Sequence, residues 1–206
     1  LMMNEVKNVY FKKTIQTVTY APHFLSVVVL SGVVISFLSP QNGIINNIIK
    51  AFGLKPIDFI LEPGWFKSIY VLSGVWQNAG WSSIIYMATL AGIDICMYEA
   101  AMIDGAGKFK RLLYITIPSL MPTAIIILIL DCGKIMNVGF EKVFLLQNNL
   151  NMPASDVIST YVYRSGILGA QYSFSTAIGL FNSVINLSLL LIVNKISKKV
   201  TETSLW

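Results

Sequence analysis

Apolar residues dominate this chain in four long windows that carry no Asp, Glu, Lys or Arg. The windows lie between Lys13 and Lys50, Lys67 and Asp94, Arg111 and Asp131, and Arg164 and Lys195. A helix that crosses the hydrocarbon core needs about 20 largely apolar residues. Each window accommodates one such helix, and the pattern predicts spans at about 17–38, 68–91, 117–137 and 174–193. The segments between them are polar. Pro40-Gln41-Asn42-Gly43 reads as the stop of the first span, because Asn-Gly favours a turn. Residues 41–66 then form a polar connection with a short amphipathic piece at 44–52, and Trp65, Phe66 and Tyr70 fit an aromatic belt at a membrane interface. The third connection, 139–172, is charged, amide-rich at Gln147-Asn148-Asn149-Leu150-Asn151 and only weakly helical by pattern.

Composition agrees with this pattern. Of 206 residues, 55% are hydrophobic and 12% charged, with a mean hydropathy of +0.67. The charged share is about half that of a soluble domain, which excludes a disordered chain and argues against an ordinary soluble one. The net charge of +5 sits beside the spans rather than on a nucleic-acid-binding face. Cys96 and Cys132 stand apart from each other and from any histidine pair, so neither a disulfide framework nor a zinc site is expected. Leu1 opens the chain without a cleavable signal pattern, and Leu1-Met2-Met3 reads like the tail of an apolar segment, so an N-terminal truncation is expected.

The distribution of Lys and Arg sets the orientation. With four spans, one side holds Lys7, Lys12, Lys13, Lys108, Lys110, Arg111, Lys195, Lys198 and Lys199. The other holds Lys50, Lys55, Lys67, Lys134, Lys142 and Arg164. The richer side is predicted to be cytoplasmic, which places the loop 94–116 inside the cell.

That loop is the most informative segment. Glu99 to Ile103 forms a good helix with small residues on one face. Gly105 and Gly107 are expected to stop it where a left-handed backbone is needed. Lys108 to Ile117 restarts as a basic amphipathic helix, and Pro118 sits where a new helical segment can begin. Glu99-Ala100-Ala101, then Gly105, then Ile115-x-Ile117-Pro118 resembles the EAA motif of binding-protein-dependent ABC importer permeases. The usual motif ends Ile-x-Leu-Pro, so Ile117 is a conservative departure. The stretches QTVTYAPHFLSVVVLSGVV, WQNAGWSSIIYMATLAGI and YSFSTAIGLFNSVINLSLLLIVNKISKK are similar to the carbohydrate-uptake, maltose-permease branch, and most to permeases for oligosaccharides or polysaccharide fragments.

The resemblance implies an all-α, polytopic transmembrane helical bundle with the type I ABC importer permease (MetI-like) fold, a single domain over 1–206 in the bacterial cytoplasmic membrane. Family members have about six spans, so four are consistent with loss of the first ones. The resemblance further implies a carbohydrate importer working by alternating access. Glu99, Ala100, Ala101, Gly105 and Pro118 would form the joint to the ATPase. The implied partners are a second permease, identical or related, two cytoplasmic ABC ATPase subunits, an extracellular solute-binding protein and a carbohydrate, with no nucleic acid. ATP and Mg would be bound by the ATPase partners. The chain itself binds no cofactor or metal and catalyses no reaction in this reading, since it carries no Walker loop, nucleophile-base set or paired catalytic carboxylates.

Candidate substrate contacts follow from depth and chemistry. Asp131 and Lys134 end the third span three residues apart, and Asn137 follows on the same expected face. Gln77 and Asn78 lie inside the second window beside Trp76 and Trp81, and amides with aromatic faces suit sugars. In maltose-type permeases the sugar contacts come from the spans flanking the EAA loop, which adds Gly74. The alternative readings of these residues are a structural ion pair for Asp131–Lys134 and interhelical hydrogen bonding for Gln77 and Asn78. His23, beside Pro22, reads as interfacial packing. The competing functions are an ion-coupled secondary transporter and a non-transporting membrane scaffold; the EAA spacing disfavours both.

Overall fold

The structure, a computed structural model, describes residues 8–201. The expected truncation at Leu1 and the polar tail ending at Trp206 lie outside them. The regular elements of the described residues are all helical, in the order α1 (Val9–Tyr20), a 3-10 turn (Ala21–Phe24), α2 (Val27–Leu38), α3 (Ile44–Ala51), α4 (Pro63–Ala91), α5 (Ile95–Ile103), α6 (Lys108–Cys132), α7 (Phe140–Leu146), α8 (Met152–Ser155), α9 (Ile158–Val162), a π-helical segment (Tyr163–Leu168) and α10 (Tyr172–Thr201). Two of these, Lys108–Cys132 and Tyr172–Lys199, are long and apolar enough to cross a membrane. The number rises to four if the bent pairs at 9–38 and 63–103 each make one span. At about 1.5 Å per residue, the 30 residues of α10 exceed a hydrocarbon core of about 30 Å. Its Leu180, Phe181, Val184 and Leu187 are exposed, as expected where the surrounding solvent is lipid.

The spans differ from the sequence reading at several ends, and α10 runs on past 193 to Thr201. The first window is not one helix. Pro22 opens the 3-10 turn and Ser26 caps α2, its Oγ accepting from the Val29 N–H at 3.3 Å, so the chain bends by 106° between Phe24 and Val27. The second helix starts at Pro63, five residues early, and draws Phe66 into a buried core instead of leaving it at an interface. The third helix ends at Cys132, not at 137, because Gly133 caps it and a turn follows. At its other end, α6 is continuous from Lys108. A π-helical turn at Leu112–Thr116, closed by the Ile117 N–H on the Leu112 carbonyl, carries the chain through, and regular α-helix resumes at Ile117 with Pro118 in its first turn, as expected. Pro118 has no N–H to give, and such turns are where helices absorb that irregularity.

The chain divides into two compact units, each built from distant stretches. One comprises residues through Gln16, Trp81–Met136 and residues from Ser183. The other comprises Thr17–Gly80 and Asn137–Asn182. The second unit has a core of Val34, Phe59, Phe66, Ile69, Val143 and Leu146. Buried amides fasten its loops. Asn46, fully buried, donates to the carbonyls of Leu38 (2.9 Å), Ser39 (3.2 Å) and Ile57 (2.9 Å) and accepts from the Ile57 N–H (2.8 Å). Asn148 and Asn151 both donate to the Ile60 carbonyl at 2.9 Å. The amide-rich run of the sequence is thus a clasp, which satisfies backbone groups that burial would otherwise orphan.

Candidate functional site

The loop after α4 is a knuckle built by local rules. Asp94 caps α5, its Oδ1 accepting from the Cys96 N–H at 2.9 Å. At the other end Gly105 adopts φ +76°. The Ala106 N–H reaches back to the Ala101 carbonyl at 2.8 Å and the Gly105 N–H to that of Met102 at 3.1 Å. This paired closure is a Schellman termination, which needs the left-handed residue at the glycine position. Gly107 does something else: its backbone is extended (φ −65°, ψ 167°) and it caps the start of α6. Only one of the two glycines therefore supplies the left-handed stop.

The two arms of the knuckle are fastened by hydroxyls. Tyr98 Oη lies 2.9 Å from Thr116 Oγ1, and Thr116, buried, donates in turn to the Arg111 carbonyl at 3.4 Å. Either hydroxyl can donate between Tyr98 and Thr116. The tip carries exposed apolar side chains: Met102 is 51% exposed, Ile103 87% and Phe109 75%. Glu99, Ala100, Gly105 and Pro118 are exposed and Ala101 half-buried. Among the described residues Glu99 has no ion-pair partner. An exposed carboxylate beside a bare apolar tip on a rigid loop is a surface suited to a complementary protein.

The candidate substrate residues fall in both compact units. Gly74, Gln77, Asn78 and Asn137 belong to one compact unit, Asp131 and Lys134 to the other. Asp131 and Lys134 do not share a helix face, because the helix ends between them. They are joined through the backbone, Lys134 N–H to Asp131 carbonyl at 3.0 Å, and both side chains are exposed. Among the described residues they make no ion pair; the pair present is Arg164–Asp156. Asn137 Oδ1 accepts from Asn182 Nδ2 at 3.4 Å. Gln77 is buried and donates to the Leu25 carbonyl at 3.3 Å, tying α4 to the bend before α2. Asn78 is exposed, donates to the Gly74 carbonyl at 3.1 Å, and its Oδ1 lies 3.3 Å from His23 Nδ1.

One residue of this neighbourhood escaped the sequence reading. Lys142, on α7, is only 8% exposed. Its Nζ donates to the Tyr70 carbonyl at 3.0 Å and lies 4.9 Å from the centre of the Tyr70 ring. Burial pushes its ammonium below the ordinary value of 10.5. Nearby in sequence, the Arg164 hydrogen bond holds the Asp156 carboxyl below its usual 3.8, with help from Thr160 against some desolvation.

All-helical in its described residues, with membrane-length apolar helices and an exposed, glycine-terminated knuckle between two of them, the chain is a helical membrane protein. Residues 1–202 match the family described as binding-protein-dependent transport system inner membrane component, and the chain belongs to that family. It is 40% identical over its whole length to Protein LplB of Bacillus subtilis (strain 168) and 39% identical to the polygalacturonan/rhamnogalacturonan transport system permease protein YteP of the same organism. It spans 65% and 64% of those relatives' lengths. Its fold matches a chain of a bacterial alginate ABC transporter, crystallised with an alginate pentasaccharide-bound periplasmic protein, at a TM-score of 0.95 and 41% identity, covering 99% of this chain and 71% of that one.

Proposed function

We propose that this chain is a transmembrane permease subunit of an ATP-driven importer of a carbohydrate, an oligosaccharide, in the cytoplasmic membrane. The observation that carries the reading is the knuckle: a Schellman-closed helix presenting unpaired Glu99 and bare Met102 and Ile103, fastened to α6 through Tyr98 and Thr116. Such a tip docks in a groove of a cytoplasmic ATPase subunit. Fully burying one large apolar side chain stabilises the contact by about 1.5–3 kcal/mol, and Glu99 pairs with a basic residue of the ATPase. ATP binding draws two ATPase subunits together, the knuckles follow as rigid bodies, and the path alternates between outward and inward access. ATP and Mg are held by those subunits and not by this chain.

Two such permeases enclose one path, and an extracellular binding protein delivers the cargo. The named relatives support an oligosaccharide cargo. They include transporters for polygalacturonan or rhamnogalacturonan, lactose and arabinooligosaccharides, together with an importer of the acidic polysaccharide alginate. Gly74, Gln77, Asn78, Asp131, Lys134 and Asn137 are the proposed path residues, with Gln77 also holding α4 to the chain at Leu25. The test is Glu99→Lys in the assembled importer. Transport-coupled ATP hydrolysis is abolished while the subunits still assemble. Unchanged uptake with unchanged assembly refutes the docking role.

A further inference from the structure

We propose that Lys142 recognises a carboxylate on the transported sugar, so that the cargo is an acidic oligosaccharide; this rests on the import reading above and narrows it. A lysine is an unusual core residue, because removing an ammonium from water is strongly unfavourable unless it is paired. Lys142 is 8% exposed, and among the described residues no carboxylate pairs with it. Of the three donors of its ammonium, one goes to the Tyr70 carbonyl, and the Tyr70 ring lies 4.9 Å away. Lys50 in the same unit shows the contrast. It is exposed, and it donates to the Pro40 and Gln41 carbonyls at 2.9 and 3.0 Å, a loop tie that keeps contact with water.

Gly74 borders the Lys142 ammonium. A Cβ at that position would stand 3.3 Å from Nζ, so any side chain there covers the charge, whereas glycine leaves a notch. Tyr70, Gly74 and Asn78 recur at every fourth residue and line one face of α4. That face offers in order an aromatic ring, a notch floored by a cation, and an exposed amide. A neutral sugar needs the ring and the amide but gives nothing for the buried charge. A uronate-type carboxylate does, through a charge-assisted hydrogen bond. The lowered pKa of Lys142 fits an ammonium whose counter-ion arrives with the ligand. The charge count along the chain also puts Tyr70, Gly74 and the α7 connection on the outward side, where cargo enters.

The experiment uses the complete importer in proteoliposomes, with its partner permease, ATPases and binding protein. The probes are oligogalacturonate and its methyl-esterified counterpart, which differ only at the carboxyl group, where the ester loses the charge and gains a methyl. Lys142→Gln raises the KM for the acid at least tenfold more than that for the ester, relative to wild type. Referring both to wild type cancels the binding protein's own preference. Lys142→Arg restores the preference for the acid. Gly74→Val, which caps the ammonium without removing it, shifts the ratio in the same direction as Lys142→Gln. Equal effects on both probes, or loss of assembled complex with unchanged kinetics in what remains, overturn the inference and make Lys142 a strap between α7 and α4. A wild-type importer that carries the ester and refuses the acid overturns it as well, while leaving oligosaccharide import standing. Absence of ATP-driven uptake of either probe overturns the inference too, and the import reading is then judged by the Glu99→Lys test alone.

Discussion

Gly105→Ala isolates the backbone conformation of the knuckle from everything else. A Cβ at residue 105 meets nothing within 4 Å, so no clash contributes. The whole penalty comes from φ +76°, a region that costs an L-residue with a side chain about 1–2 kcal/mol. That is a factor of about 5–30 in the population of the closed knuckle. The lost state is the one in which Ala106 and Gly105 close onto the Ala101 and Met102 carbonyls. The molecule provides its own control two residues on. Gly107 also has open space around it but sits at φ −65°, so Gly107→Ala is neutral. Asn tolerates the left-handed region better than Ala, so Gly105→Asn falls between them. The assay is sugar moved per ATP hydrolysed by the reconstituted importer, together with the amount of ATPase that co-purifies. Gly105→Ala is expected to lower both, in the order Ala, then Asn, then wild type. Equal behaviour of Gly105→Ala and Gly107→Ala refutes the link between the Schellman closure and coupling.

Other expectations follow from single contacts. Tyr98→Phe removes the hydroxyl that meets Thr116 Oγ1 without changing the ring. It loosens the knuckle from α6 and lowers the ratio of transport to hydrolysis while the ATPase still co-purifies; Thr116→Val does the same, and no change in that ratio counts against the hydroxyl latch. Gly80→Ala places a Cβ 2.2 Å from the Thr19 carbonyl oxygen, a backbone atom that cannot turn away. Overpacking of this kind costs about 1–3 kcal/mol and is read as a lower melting temperature of the purified complex. The Asp156–Arg164 pair contributes stability above pH 3.8 that is lost as pH falls through the lower folded value, because the folded fold holds the carboxyl ionised. With both side chains about a third exposed (33% and 32%), the effect is small, about 0.2–1 kcal/mol. Asp156→Asn flattens that part of the acid-unfolding curve.

The knuckle was legible because its determinants are local. A capping aspartate, a run of helix formers and a glycine act within one turn of themselves, and Gly105 behaves as its position demands. Gly107 looked equivalent by residue type, yet a single glycine suffices to stop a helix and the second was free to start the next one. The bend at Leu25–Ser26 was not legible, because a charge-free window records composition and not direction. Pro22 and Ser26 were visible, but a proline and a serine are both tolerated in membrane helices. The end of α6 at Cys132 is hidden for a similar reason: by pattern, Gly133 at the end of an apolar run reads as part of the helix. That removed the shared face on which the pairing of Asp131 with Lys134 depended. Lys142 was counted as a connection-loop cation. Its burial depends on Tyr70 and Gly74, residues far away in sequence, and no local pattern reports such a contact.

The joint to the ATPase is tested most directly at Ile103, the most exposed apolar residue of the tip. Ile103→Cys is placed in a background where Cys96 and Cys132 are serine, and a membrane-impermeant maleimide is applied from each side in turn. The account predicts reaction from the cytoplasmic side alone, protection when the ATPase is bound, and a cross-link from residue 103 to the ATPase subunit. Reaction from the outside, or full reaction from the inside with the ATPase in place, contradicts it.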